Sequence, residues 1–151
     1  MAKTDSQRLK MICGKVAQRC LGMRMRNAAR VVGNFYDRHL KPTGLKATQF
    51  TLLNAICLNP SFSIGRLADF LQIDRTTLNR NLKPLERKEL IQSVPGRDPR
   101  TRTLNLTAAG TQTLKQALPL WLEAQSAVVD LLEKRVEGFA DDLRALEKLV
   151  T

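Results

Sequence analysis

Arg97, Asp98, Arg100 and Arg102 crowd into the segment PGRDPRTR, just before an alternating apolar run. Arginines in a loop punctuated by proline and glycine can reach phosphates, or enter a narrow minor groove where negative potential concentrates. Asp98 can pair with Arg100 or Arg102 and hold the guanidinium extended. A second group lies upstream: Arg75, Thr76, Thr77, Asn79, Arg80 and Lys83. Arginine and lysine bond guanine edges, asparagine bonds adenine, and a threonine methyl touches the thymine methyl, so these side chains are chemically able to read a major groove. The alternative for the same group is an ordinary solvated helix face.

Other chemistry is poorly supplied. His39 is the single histidine, so a Ser-His-Asp or Cys-His arrangement has little to be built from. No phosphate-cradling glycine loop, paired-carboxylate signature or metal-ligand cluster stands in the sequence, and neither an enzyme nor a cofactor is expected. Cys13, Cys20 and Cys57 form no CxxC pair, which agrees with a reducing compartment.

Charge narrows the partners. The 25 Lys+Arg against 14 Asp+Glu give +11, which suits nucleic acid, an anionic membrane surface or an acidic protein. Residues 1–46 hold 11 basic and 2 acidic groups, residues 47–106 hold 9 and 5, and residues 107–151 hold 5 and 7. The positive field therefore belongs to the first two-thirds. No stretch approaches the roughly eighteen apolar residues of a membrane span, and MAKTDSQRLK lacks the apolar core of a secretory signal, so a cytoplasmic location and no membrane partner are expected.

The elements that must position these groups follow from periodicity. From about Lys15 to Lys41, the apolar residues fall on two adjoining helical rows, Cys20, Met23, Asn27, Val31, Phe35 and Leu21, Met25, Ala28, Val32, Tyr36, Leu40, at three- and four-residue steps. The face is too wide for one small neighbour, and a second subunit is expected to cover part of it. Pro42-Thr43-Gly44 ends this helix. A second is expected over Thr48–Leu58, with Thr48 as N-cap and Phe50, Leu53, Ile56 and Cys57 inward. Ser63 caps a short helix to Leu71, Gln72-Ile73 makes a tight connection, and Asp74 caps a helix from Arg75 to about Lys88. That helix turns Leu78, Leu82 and Leu85 inward and Arg75, Thr76, Asn79, Arg80 and Lys83 outward, the helix-turn-helix pattern. Two strands around Gly96–Arg100 form a hairpin with a basic tip, a wing. Thr107 caps a long helical region, interrupted or kinked at Pro119, and a last helix from Phe139 to Val150 turns Leu143, Leu146 and Leu149 inward. The fold class is mainly α with a small β-hairpin wing.

With SIGRLADFLQIDRTTLNRNLKPLERKELI followed by GRDPRTRTLNLTAAG, the chain resembles the MarR family of winged helix-turn-helix transcriptional regulators over about residues 15–150. The run TTLNRNLKPLE and the D-x-R…LT-x-x-G wing carry the resemblance most specifically. Beyond a flexible N-terminal segment, residues 1–14, it implies a helical dimerisation region at 15–46 and 107–151 and a winged helix-turn-helix DNA-binding domain at 47–106. It further implies a homodimer on a pseudo-palindromic operator in double-stranded DNA, commonly as a repressor. Arg75 to Lys83 would enter the major groove, and Arg100, oriented by Asp98, the minor groove. Glu89 departs from the glycine that many relatives carry after the recognition helix.

The resemblance also implies a small-molecule effector, a phenolic or other anionic aromatic or an acyl-CoA thioester, bound between the dimerisation helices and the winged domain. Arg24, Asn27, Val31, Tyr36, His39 and Phe50 are the candidate lining; the same residues can equally be the packed base of a dimer. One branch of the family, the organic hydroperoxide regulators, senses oxidants through a cysteine near the start of the first helix. Cys20 is the redox candidate, offset by two residues when Tyr36 is aligned, and the second tyrosine partner falls on Arg26. Two alternatives to a ligand-released regulator are thus a cysteine-based oxidant sensor of the same fold and a winged-helix protein-interaction module, an antirepressor.

Overall fold

The computed structural model describes residues 2–60, 62–96 and 101–149. Its elements run α1 (Ala2–Arg19), α2 (Leu21–Leu40), a 3-10 turn at Lys41–Thr43, α3 (Ala47–Leu58), α4 (Ile64–Phe70), α5 (Arg75–Arg87), β1 (Ile91–Pro95), β2 (Arg102–Leu106) and α6 (Ala108–Leu132), then a 3-10 turn at Glu133–Arg135 and α7 (Val136–Glu147). The chain divides into two compact units, residues 1–35 and 36–151.

In the first unit, α1 and α2 replace the single helix expected from about Lys15. Helix extends back to Ala2, where the sequence reading has an irregular start, and the break falls at Cys20. Apolar side chains remain uncovered here, among them Leu9, Val16, Leu21 and Val31, the last 64 % exposed.

The second unit holds one continuous core, with Leu40, Leu53, Ile56, Leu67, Leu78 and Leu85 fully buried. Leu78, Leu82 and Leu85 recur at three- and four-residue steps, so α5 presents one apolar stripe to α3 and α4. Helix α3 starts at Ala47 with Lys46 in the N-cap position, so Thr48 lies inside the helix and is not its cap. Its first backbone N–H, on Ala47, is taken by the Asp37 carboxylate of α2 at 2.7 Å, a cap supplied from ten residues upstream. Cys57 lies exposed rather than inward.

Helices α4 and α5 end alike. After α4, Gln72 N–H donates to Asp69 O and Ile73 N–H to Ala68 O, each at 3.1 Å. After α5, Glu89 N–H donates to Glu86 O and Leu90 N–H to Leu85 O, each at 2.9 Å. Both are Schellman endings, which need a left-handed residue to turn the chain, and here Gln72 (φ 52°) and Glu89 (φ 54°) fill it. The first turn sets α4 against α5, and the second delivers Leu90 and Ile91 to the sheet.

Strands β1 and β2 pair antiparallel, with Ile91 opposite Leu106 and Pro95 opposite Arg102. An isolated bridge between Ser63 and Thr103 ties the start of α4 to β2. Thr107 then caps α6 by accepting the Gly110 N–H at 3.0 Å, while its hydroxyl donates to Glu89 O at 2.6 Å.

Helix α6 runs unbroken through Pro119 to Leu132, and its end comes at Glu133 (φ 51°) instead. The final helix is α7, three residues earlier than expected. Leu143 and Leu149 are exposed rather than inward, at 41 % and 78 %.

Candidate nucleic-acid interface

Helix α5 owes its start to Asp74. The Asp74 carboxylate accepts the Thr77 N–H at 2.8 Å and the Thr77 hydroxyl at 2.5 Å. Those two bonds from Thr77, the hydroxyl first, hold the Asp74 carboxyl below its usual range. A negative cap also complements the positive end of the helix dipole. Of the six α5 residues expected to read bases, Thr77 is therefore the exception: it is half-buried and its hydroxyl is committed to the cap.

Arg75, Thr76, Asn79, Arg80 and Lys83 all lie exposed, opposite the buried Leu78, Leu82 and Leu85. The face extends further than the sequence reading took it. Arg80, Lys83, Pro84, Glu86 and Arg87 line an open groove along the outer side of α5. The signal was legible, since Arg87 stands four residues after Lys83 and seven after Arg80, on the same helical row. Pro84 does not interrupt the helix. The Arg75 guanidinium lies back against Gly65 of α4, a neighbour that spacing does not announce.

On the wing, Arg102 is not extended outward. Its Nε donates to Ser93 Oγ at 2.7 Å and its terminal nitrogen to Ser93 O at 2.9 Å, bracing β2 against β1 one residue pair from the tip. Gly96 N–H donates to Thr101 O at 2.9 Å, closing the ladder at the tip. Arg97, Asp98 and Arg100 lie outside the described residues. The guanidinium of Arg102 is anchored on Ser93 of β1.

The effector candidates divide between the units. Arg24, Asn27 and Val31 belong to the first, all exposed, with Arg24 donating to Gln18 O at 2.9 Å and Asn27 accepting from Arg30 at 3.2 Å. In the second, Phe50 is a core residue, 6 % exposed, its ring stacked on Trp121 at 5.8 Å between centroids. The Tyr36 hydroxyl donates to Gln125 of α6, and burial raises its pKa. His39 is half-buried beside Leu40. Cys20 sits at the α1–α2 break, half-buried, its Sγ accepting the Met23 N–H at 3.4 Å. Among the described residues, no group of His, Cys, Asp and Glu could hold a metal ion, and no helix is long and apolar enough to cross a membrane.

The geometry has known counterparts. Residues 43–100 match the model of the MarR family. The structure is similar to that of the transcriptional regulator MosR of M. tuberculosis in complex with DNA, at 36 % identity and TM-score 0.75, over 87 % of this chain and 99 % of that one. It is also similar in fold to the S. aureus MepR–DNA complex (18 % identity, TM-score 0.76, 87 % and 96 % covered). A mutant of E. coli MarR complexed with operator DNA is a third likeness (21 % identity, TM-score 0.74, 90 % and 97 % covered). Among curated proteins, none matches the chain.

Proposed function

The chain belongs to the MarR family of DNA-binding, non-enzymatic transcriptional regulators, and we propose that it acts as a homodimeric repressor on a pseudo-palindromic operator, released by a small anionic ligand. The observation that carries this reading is the exposed Arg75–Thr76–Asn79–Arg80–Lys83 face of α5, held by the Asp74 cap beside a hairpin that Arg102 braces.

Residues 47–106 take the duplex in this reading. Thr76, Asn79 and Arg80 touch base edges, Arg75, Lys83 and Arg87 lie nearer phosphates, and Arg97 and Arg100, with Asp98, reach from the wing into the adjoining minor groove. Thr77 and Arg102 act one step back, the first by starting the helix and the second by stiffening the wing. Residues 15–46 and 107–151 pair the subunits. Uncovered Leu21, Val31, Leu131 and Phe139 support that assignment, because a monomer in water gains nothing from them. The operator lies on cytoplasmic DNA, where the thiols stay reduced.

Regulation follows from the spacing of two recognition helices, about one turn of DNA apart. A ligand that binds a DNA-incompetent spacing ~100-fold better supplies about 3 kcal/mol of coupling without touching a base. Arg24, Asn27, Val31, Tyr36, His39 and Phe50 are the proposed effector-binding residues. Effector-induced release that survives both Arg24→Ala and Tyr36→Phe removes this assignment.

The test of the whole reading is anisotropy binding to DNA from upstream of the protein's own gene against a scrambled duplex, across a salt series. A preference on the order of a thousandfold, a steep salt slope and two protomers per duplex are expected. Weak, equal binding to both duplexes overturns it and points to an acidic protein partner. Hydrogen peroxide added to the same assay tests Cys20: release accompanied by loss of the free thiol establishes the oxidant sensor in place of the ligand-released regulator.

A further inference from the structure

Gly65 is the second residue of α4, a helix of 7 residues. Glycine is the poorest helix former after proline, and nothing in the backbone calls for it at this position, which is ordinary right-handed helix. The space around it is what differs. A Cβ built on Gly65 would stand 2.8 Å from a terminal nitrogen of Arg75, 3.3 Å from its Cζ and 3.5 Å from its Nε. The obstacle is therefore the guanidinium, three of whose atoms face the bare Cα, and not any backbone group. By contrast, Gly110 meets the Leu90 backbone and Gly44 has a φ of +69°.

We propose that Gly65 is a positioning residue for DNA recognition: carrying no side chain, it leaves the seat in which the Arg75 guanidinium rests at the junction of α4 and α5. The inference rests on the reading of α5 as the DNA-contacting helix. Arg75 is the first residue of α5, and Asp74 fixes the helix start. The root of the side chain is thus set by the cap, and the bare Cα of Gly65 leaves room for its end. In that space the guanidinium takes an orientation that a Cβ at position 65 excludes, and its planar fork works only in a defined orientation. A methyl at position 65 evicts the flexible end of Arg75 and leaves both helices as they are.

The test is a double-mutant cycle of Gly65→Ala, Arg75→Ala and the pair, read by anisotropy on the duplex that the wild-type protein selects from a randomised pool, and on random duplex. Melting curves for each variant run alongside. G65A is expected to melt no lower than wild type, since alanine is the better helix former. It should bind the selected duplex about fivefold more weakly, the range expected for one side chain that must be ordered anew. R75A is expected to lose about tenfold or more, and the double variant to match R75A within about twofold, because without Arg75 the seat has nothing to hold. G65A binding like wild type while R75A is weakened overturns the positioning role and leaves the reading of α5 standing. Additive losses also overturn it, whatever the melting temperature of G65A, because they place the effect elsewhere than on Arg75. R75A binding both duplexes as wild type does removes Arg75 from the interface and the proposal with it.

Discussion

Gly110 of α6 lies against the carbonyl of Leu90 so closely that a Cβ on Gly110 would stand 1.9 Å from its oxygen. The same carbonyl accepts the Thr107 N–H at 3.1 Å. One peptide group at the end of the helix-turn-helix thus receives the first turn of the long helix, and the LT-x-x-G run gains a physical meaning. Threonine caps α6 and ties it to Glu89, and glycine lets the two backbones touch.

Gly110→Ala is expected to destabilise the protein by about 3 kcal/mol or more, because the obstacle is backbone on both sides and no side chain can yield. Urea unfolding checks this. A midpoint within error of wild type contradicts the close approach.

Glu89→Gly is expected to stabilise. Glu89 holds φ 54°, where a Cβ costs roughly 1 kcal/mol and glycine costs nothing. The gain is reduced by the extra freedom of glycine in the unfolded chain, leaving about 0.5 kcal/mol. Gln72→Gly, at the equivalent turn after α4, should behave in the same way. Denaturant midpoints of the two single variants and the pair decide it, and a destabilisation in both rules out left-handed strain as a cost at these turns.

Arg80→Ala and Lys83→Ala should separate by what each side chain meets. Loss of a base contact costs about 1–3 kcal/mol on the operator and little on random DNA, whereas loss of a phosphate contact weakens both and lowers the salt slope by about one. The first pattern is expected for Arg80 and the second for Lys83. Equal losses on both duplexes for Arg80→Ala take it off the base-reading face.

The Asp74 cap makes a pH signature. Its folded pKa is lowered, by the Thr77 hydroxyl first, so its contribution is fully present above the unfolded carboxyl value near 3.8 and is lost as pH falls through the still lower folded value. Asp74→Asn keeps a capping oxygen without the charge. The stability advantage of wild type over D74N should therefore be constant near neutrality and shrink as pH falls below the unfolded value, in paired denaturation curves down to about pH 3. A constant difference throughout disproves a charged cap.

Much of the site was legible because it is local. Ser63, Asp74 and Thr107 announce themselves as caps by type and by the period that follows them. The leucines of α5 settle which way its arginines face, and the change from a helical to an alternating period marks the wing. Even Glu89 stood out, at a place where the chain needs a left-handed turn. Two places came out otherwise. Pro119 does not break α6, since proline on an exposed face removes one hydrogen bond that a long, packed helix can spare. Periodicity alone places Cys57 inward, yet α3 turns it to solvent.

What the sequence determined by itself is therefore the order of elements from α3 to the wing, the caps of α4, α5 and α6, and the inward face of α5, all set by interactions within a few residues. What only the tertiary structure decided is the use of individual side chains. Asp37 caps a helix other than its own, Arg102 spends its guanidinium on Ser93, Arg75 rests on Gly65, and Gly110 admits the backbone of Leu90. Each of these depends on two segments approaching within a few ångströms. That distance is set by the packing of the whole core around Leu53, Leu78 and Leu85, not by any spacing along the chain.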